Sequence, residues 1–137
     1  MIQVHCTRDA RGNITAFSAE GHSNYAAYGE DIVCAAISTL LQGAQFSLQV
    51  LFPGAIVQTS PTRKLPLELT ISSSTITGII NQEIQLILKH TLLGLMNIAI
   101  AYPHNIALSI SDLPKWQDLF SSQEDAATLL RLTLFPL

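Results

Sequence analysis

Residues 31–54 read DIVCAAISTLLQGAQFSLQVLFPG, and this stretch decides the fold. An acid able to cap a helix is followed by an uncharged, largely apolar run that stops at Pro53-Gly54. Proline cannot continue a helix, so the pattern predicts a long helix from Asp31 to that stop. Gly43 stands inside it, where glycine costs about 1 kcal/mol against alanine. Close packing against a neighbour is the expected reason for its presence. With Asp31 as N-cap, Cys34 becomes the third helical residue. The Asp31 carboxylate is then expected to accept a hydrogen bond from the amide of Cys34 or of Val33.

Upstream of this helix, residues 2–7 read as a strand. Asp9-Ala10-Arg11-Gly12-Asn13 supplies a turn, and residues 14–20 read as the returning strand of a hairpin. Gly21-His22 ends that strand, and residues 23–29 (SNYAAYG) have neither helical nor strand period. Downstream, residues 56–60 and 65–72 read as strands with Pro61 and Pro66 near their edges. Residues 72–75 read as a loop. A second helix is expected over 81–101, its buried stripe marked by Ile84, Ile87, Leu88, Leu92, Leu95 and Ile98. Ile106, Leu108 and Ile110 alternate as a final strand. The order β-β-α-β-β-α-β describes an α/β (α+β) domain, with two long helices laid on a mixed or antiparallel sheet. The domain is expected over residues 1–112. An extension of unassigned role follows over 113–137, where Ser122-Gln123-Glu124-Asp125 resembles a helix start.

The 137 residues suit one domain with a real core. Charged residues make up only 12% of them, against roughly 25% in an average soluble protein. A charge-poor domain of this size is expected to cover part of its apolar surface with a second copy, as a homodimer. Seven basic and ten acidic residues leave a formal charge of −3 with no basic run, which speaks against direct contact with nucleic acid. The first eight residues lack the basic start and apolar run of a signal peptide. Gln85, Lys89, His90 and Asn97 interrupt the most apolar stretch, as in a buried soluble helix rather than a membrane span. Two cysteines, Cys6 and Cys34, are too few for a disulfide framework, so a reduced, cytoplasmic protein is expected. His5 and Cys6 are strand neighbours facing opposite ways, and no four-ligand spacing exists, so no metal is expected. The glycines form no phosphate loop, and no cofactor is expected. His90 and His104 read as structural or exposed, and Ser47 and Ser60 lack the context of a nucleophile elbow.

The chemistry concentrates at the first helix. A thiol in a first helical turn feels the positive end of the helix dipole, which favours thiolate. Glu30 and Asp31 act the other way, so Cys34 needs a base beside it. His22 supplies one, placed where a strand gives way to the loop leading back to this helix. A neutral imidazole accepts the thiol proton, and the resulting ion pair is the attacking species of cysteine hydrolases. Backbone amides at the helix start can stabilise an oxyanion. Ser38, one turn after Cys34, shares its helix face. On spacing alone, the plainer readings stand beside these. Cys34 can be core packing, His22 a polar cap on the strand end, Asp31 an N-cap only, and Ser38 a hydroxyl bonded back to a helix carbonyl.

Glu20-Gly21-His22-Ser23 and, further on, Gly29-Glu30-Asp31-Ile32-Val33-Cys34-Ala35-Ala36-Ile37-Ser38 resemble the signature of the ribosomal-processing cysteine protease family, Prp. The specific features are the Gly-His pair, eleven intervening residues, and the run that carries the cysteine. The likeness extends over about the first 110 residues, and the segment after about Leu113 is longer than the family pattern. The resemblance implies a homodimeric fold without metal or cofactor, with His22 and Cys34 as catalytic dyad. It implies supporting roles for Asp31 and Ser38, which match further motif positions, and for Gly21 in the Gly-His pair. It further implies an endopeptidase that removes a short N-terminal extension from a large-subunit ribosomal protein, cutting after an aromatic residue. Residues 23–33 would close over that peptide. The alternative is a non-catalytic, ribosome-associated module that binds a protein tail.

Overall fold

The structure, a computed structural model, describes residues 1–22, 26, 31–59, 66–72, 79–121 and 125–134. The loop expected over 23–29 (Ala26 apart), the strand ends expected at Ser60 and Leu65, and the loop past Ser72 lie outside the described residues. Among the described residues the elements run in the order β1 (Ile2–Arg8), β2 (Ile14–Glu20), α1 (Ile32–Leu51), β3 (Ile56–Thr59), β4 (Leu67–Ile71), α2 (Ile79–Ala101), β5 (Ile106–Ile110), α3 (Asp118–Ser121) and α4 (Ala126–Leu134). The expected order stands, with two short helices added at the end and α2 starting two residues early.

The strands form one sheet in the order β3-β4-β2-β1-β5. Among the described residues β1 and β5 pair in parallel and the other pairs are antiparallel, so the sheet is mixed. One face is apolar, as strand alternation dictates. Ile2, Val4 and Cys6 of β1, Phe17 and Ala19 of β2, Leu67, Leu69 and Ile71 of β4, and Ile106, Leu108 and Ile110 of β5 are all buried. Against them lie Val33, Ile37, Leu41, Ala44 and Leu48 of α1, and Ile84, Leu88, Leu92 and Leu95 of α2. Gly43 departs from its expectation. An added Cβ there meets nothing within 4 Å, because Gly43 sits on the side of α1 turned away from the core. The close approach of the two helices is at Gly94 instead, where a Cβ would lie 2.9 Å from Leu40.

The segment after β5 folds back onto the same core. Trp116 is buried, its indole N–H donates to the Leu108 carbonyl at 2.9 Å, and Phe120 meets it edge-on at 5.9 Å. Leu134 of α4 is buried as well. Asp125 starts α4 by accepting from the Ala127 amide at 3.1 Å and the Thr128 hydroxyl at 2.7 Å.

Gln85, a polar residue within the apolar stripe of α2, is buried and fully used. Its side-chain oxygen accepts from the Ile14 amide at 2.7 Å, and its amide donates to the Ile14 carbonyl at 2.8 Å. The pair ties α2 to the first residue of β2, next to the register shift at Thr7/Arg8. In Gln85→Leu both buried backbone groups of Ile14 lose their partner, at about 1–3 kcal/mol each. We expect the melting temperature to fall by about 10 °C, since 1 kcal/mol shifts it by several degrees in a domain of this size. A melt within about 3 °C of wild type would show that this bond pair contributes little.

Candidate active site

Pairing of the strands fixes where each end of the fold lies. Glu20 pairs with Gln3 and Ala19 with Leu67, so β2 ends beside the starts of β1 and β4. Ile56 pairs with Ile71 at the opposite end. Helix α1 leads into β3, and its 20 residues span about 30 Å. Its last turn therefore lies at the Ile56 end, and its first turn at the Glu20 end. Gly21-His22 and Cys34 thus reach the same end of the sheet from two different elements.

Asp31 is the N-cap of α1, with extended backbone (φ −83°, ψ 101°). It is buried, and one carboxylate oxygen accepts from the Cys34 amide at 2.9 Å. The other lies 3.5 Å from the Ala26 amide. One side chain therefore holds the cysteine backbone and a residue of the connecting segment together. A hydrogen bond from an amide to a carboxylate is stronger than a neutral one, so the cap fixes the helix start firmly. Asp31 takes the Cys34 amide, and the Ile32 and Val33 amides are first-turn donors with no acceptor within the helix. Cys34 is half-buried and packs against the core edge. Ser38, one turn on, is also half-buried.

Gly21 places His22. Its φ is +95°, and an added Cβ would stand 2.5 Å from the Met1 carbonyl oxygen. Only glycine can turn the chain this way at this contact. His22 follows as a half-buried residue. The sequence marked the Gly-His pair but could not show its cause, which is a backbone neighbour at the far end of the paired strand.

The second cysteine offers an internal comparison. Cys6 is a free thiol buried in the core face of β1. Burial pushes its pKa up to about 12, an effect that nearby Arg8 opposes and Asp112 reinforces. Such a thiol is inert at neutral pH. His5, its neighbour, points to the helix-free face and shares a 2.6 Å hydrogen bond with Ser109. There a cleft of about 330 Å³ lies among Gln3, His5, Ser18, Glu20, Glu68 and Ser109, beside the end of β2. Among the described residues, no three of His, Cys, Asp and Glu gather as metal ligands would. His90 and His104 are exposed.

Residues 1–107 match the family model described as cysteine protease Prp. The ribosomal processing cysteine protease Prp of Bacillus subtilis (strain 168) is 37% identical over 51 residues, covering 37% of this chain and 46% of that protein. The chain thus aligns with less than half of the length of that relative. Among solved structures, the essential ribosomal processing protease Prp from S. aureus, in complex with a covalently linked product peptide, superposes with a TM-score of 0.71 at 28% identity. That match covers 81% of this chain and 100% of the other. The same S. aureus protease in complex with a substrate peptide superposes with a TM-score of 0.66, at the same identity and coverage.

Proposed function

The chain belongs to the cysteine protease Prp family, and from that membership we propose that it is the endopeptidase that removes the N-terminal extension of a large-subunit ribosomal protein. Cys34 is the nucleophile and His22 the base. His22 takes the thiol proton, and the Cys34 sulfur attacks the scissile carbonyl. The tetrahedral oxyanion lies at the first-turn amides of α1. His22 then passes its proton to the departing amine as the C–N bond breaks, leaving an acyl-enzyme thioester. Water, deprotonated by His22, releases the new carboxyl end and restores the thiol. Asp31 positions Cys34 through its amide, Gly21 sets the direction of His22, and Ser38 supports the sulfur from the next turn. Catalysis is assigned to residues 1–112, with 113–137 as an extension. The enzyme works in the cytoplasm as a homodimer, without metal or cofactor.

The observation that carries this reading is the convergence of Gly21-His22 and a capped Cys34 at one end of the sheet. Its test is a cleavage assay on a peptide spanning the extension of the host's own ribosomal protein, read by mass spectrometry. Wild type is expected to cut one bond, and Cys34→Ala and His22→Ala to cut none. Cleavage by Cys34→Ala at the wild-type rate would remove the nucleophile assignment. An uncut peptide that still binds wild type would favour the non-catalytic module.

A further inference from the structure

Residues 113–137 lie beyond the stretch that matches the family, yet they are built into the fold at one particular place. Strand β5 is an edge of the sheet, paired with β1 on one side only among the described residues. Its odd-numbered positions turn their backbone groups toward β1. The Asn105 carbonyl accepts from the Ile2 amide at 2.9 Å, and the Ser111 amide donates to the Cys6 carbonyl at 3.0 Å. Backbone groups alternate along a strand, so those of Ile106, Leu108 and Ile110 point outward along the edge. Such a row is a template for a further strand. The sequence of β5, Ile-Ala-Leu-Ser-Ile, adds to the hazard, being apolar but for one serine, uncharged and free of proline. The other edge, β3, is blunted differently: it has four residues and a register shift between Ile56 and Gln58.

The outward groups of β5 are met from outside the sheet. At one end the Ile106 amide donates to the Tyr102 carbonyl at 3.3 Å, and at the other the Ile110 carbonyl accepts from the Leu113 amide at 3.1 Å. Between them, at the centre of the edge, the Leu108 carbonyl accepts from the Trp116 indole N–H at 2.9 Å. Trp116 is 1% exposed, with Phe120 edge-on against its ring. An indole is a donor only. It satisfies the carbonyl as a strand amide would, and it presents no acceptor with which a ladder could continue. The same segment carries Lys115, Asp118 and Arg131, all exposed, and charge of this kind discourages strand addition.

We propose that residues 113–137 guard the β5 edge, with Trp116 standing in for the missing neighbour strand, and that they keep β5 from pairing with β5 of another copy. The excluded partner is a second copy because the edge complements itself. Two identical β5 strands pair antiparallel about Leu108, each Leu108 exchanging amide and carbonyl with its counterpart. Trp116 occupies that carbonyl. This role is independent of the cleavage reaction.

The test compares the full chain with Trp116→Phe and Trp116→Ala by sedimentation velocity at 100 µM, with folding followed by circular dichroism. Wild type is expected to show no species larger than twice the chain mass of 14.9 kDa. Trp116→Phe keeps an aromatic ring and removes the N–H, and about one-fifth or more of it is expected at twice the wild-type mass or above. Trp116→Ala, where it folds, is expected to assemble further. Ala107→Lys, a charge at an exposed position of β5, is expected to return Trp116→Phe to the wild-type mass. Val57→Lys, at an exposed position of β3, is expected to leave it assembled. A folded Trp116→Phe chain that keeps the wild-type mass overturns the proposal. Assembly that Val57→Lys relieves as well as Ala107→Lys does overturns it too, because added charge and not the edge is then what matters. An unfolded Trp116→Phe chain assigns Trp116 to core packing and has the same consequence.

Discussion

Iodoacetamide at pH 7.5 will modify Cys34 and leave Cys6 untouched in the native protein. The two thiols share one chain, so each is the other's control. Cys6 lies in the core, and with a pKa near 12 its thiolate is on the order of 10⁻⁴ to 10⁻⁵ of the population at that pH. An ordinary thiol, with pKa about 8.5, is about one-tenth thiolate under the same conditions. Burial alone therefore gives a rate ratio above about a thousandfold, before access to the reagent is counted. An activated Cys34 adds to that ratio. His22→Ala separates the two contributions: loss of the base is expected to slow Cys34 by about 10²-fold or more, with Cys6 still silent. The pH dependence follows the sign of the shift. Raising pH from 7 to 9 leaves Cys6 protonated in the fold, because its titration lies higher still. Unfolding in guanidinium returns it to an ordinary thiol, and two equivalents then react. Equal labelling of both cysteines in the native state would contradict the burial of Cys6. A wild-type Cys34 rate no faster than that of an ordinary exposed thiol, and unchanged in His22→Ala, would contradict the dyad.

The legible parts of this molecule are those whose cause is local. The hairpin follows from Asp9 to Asn13, where the Asp9 carboxylate accepts from the Arg11 and Asn13 amides at 2.9 Å each. The start of α1 follows from Asp31 and its end from Pro53-Gly54, and strand β5 follows from strict alternation. What could not be read depends on partners far along the chain. The parallel pairing of β1 with β5 joins residues more than a hundred positions apart, so periodicity could not choose between a mixed and an antiparallel sheet. Gln85 looked like a polar interruption that marks a soluble helix, and proves to be the side chain that satisfies Ile14. Gly43 and Gly94 are alike in sequence context, and only the packing of α1 on α2 says which one touches a neighbour. At the candidate site the same division holds. The N-cap and the third-position cysteine are local facts, legible at once. That His22 reaches the same end of the sheet depends on strand order, which no local pattern encodes.

Gly21→Ala is expected to reduce peptide cleavage far more than it reduces stability. Its φ of +95° lies where side chains are rarely tolerated, and the added methyl would meet the Met1 carbonyl oxygen at 2.5 Å. That neighbour is backbone, so no side chain can swing aside. Strain of this kind costs about 1–3 kcal/mol, which lowers the melting temperature of a domain this size by roughly 5–10 °C and leaves it folded at 25 °C. The relief available is a shift of the chain at the end of β2, because Met1 is itself held there: the Ile2 amide donates to the Asn105 carbonyl at 2.9 Å. Any such shift moves His22, the next residue, while α1 stays anchored by its own cap and core stripe. A displacement of about 1 Å between reacting groups can reduce a rate by 10²-fold. The loss should therefore fall on kcat rather than on KM, and alkylation of Cys34 should slow toward the rate found in His22→Ala. Asparagine tolerates positive φ better than alanine does, but its Cβ offers no escape from the Met1 contact, so Gly21→Asn is expected to behave as Gly21→Ala does. A Gly21→Ala enzyme that melts several degrees lower yet cleaves at the wild-type rate would show that the turn serves the fold alone, and that His22 finds its place by another route.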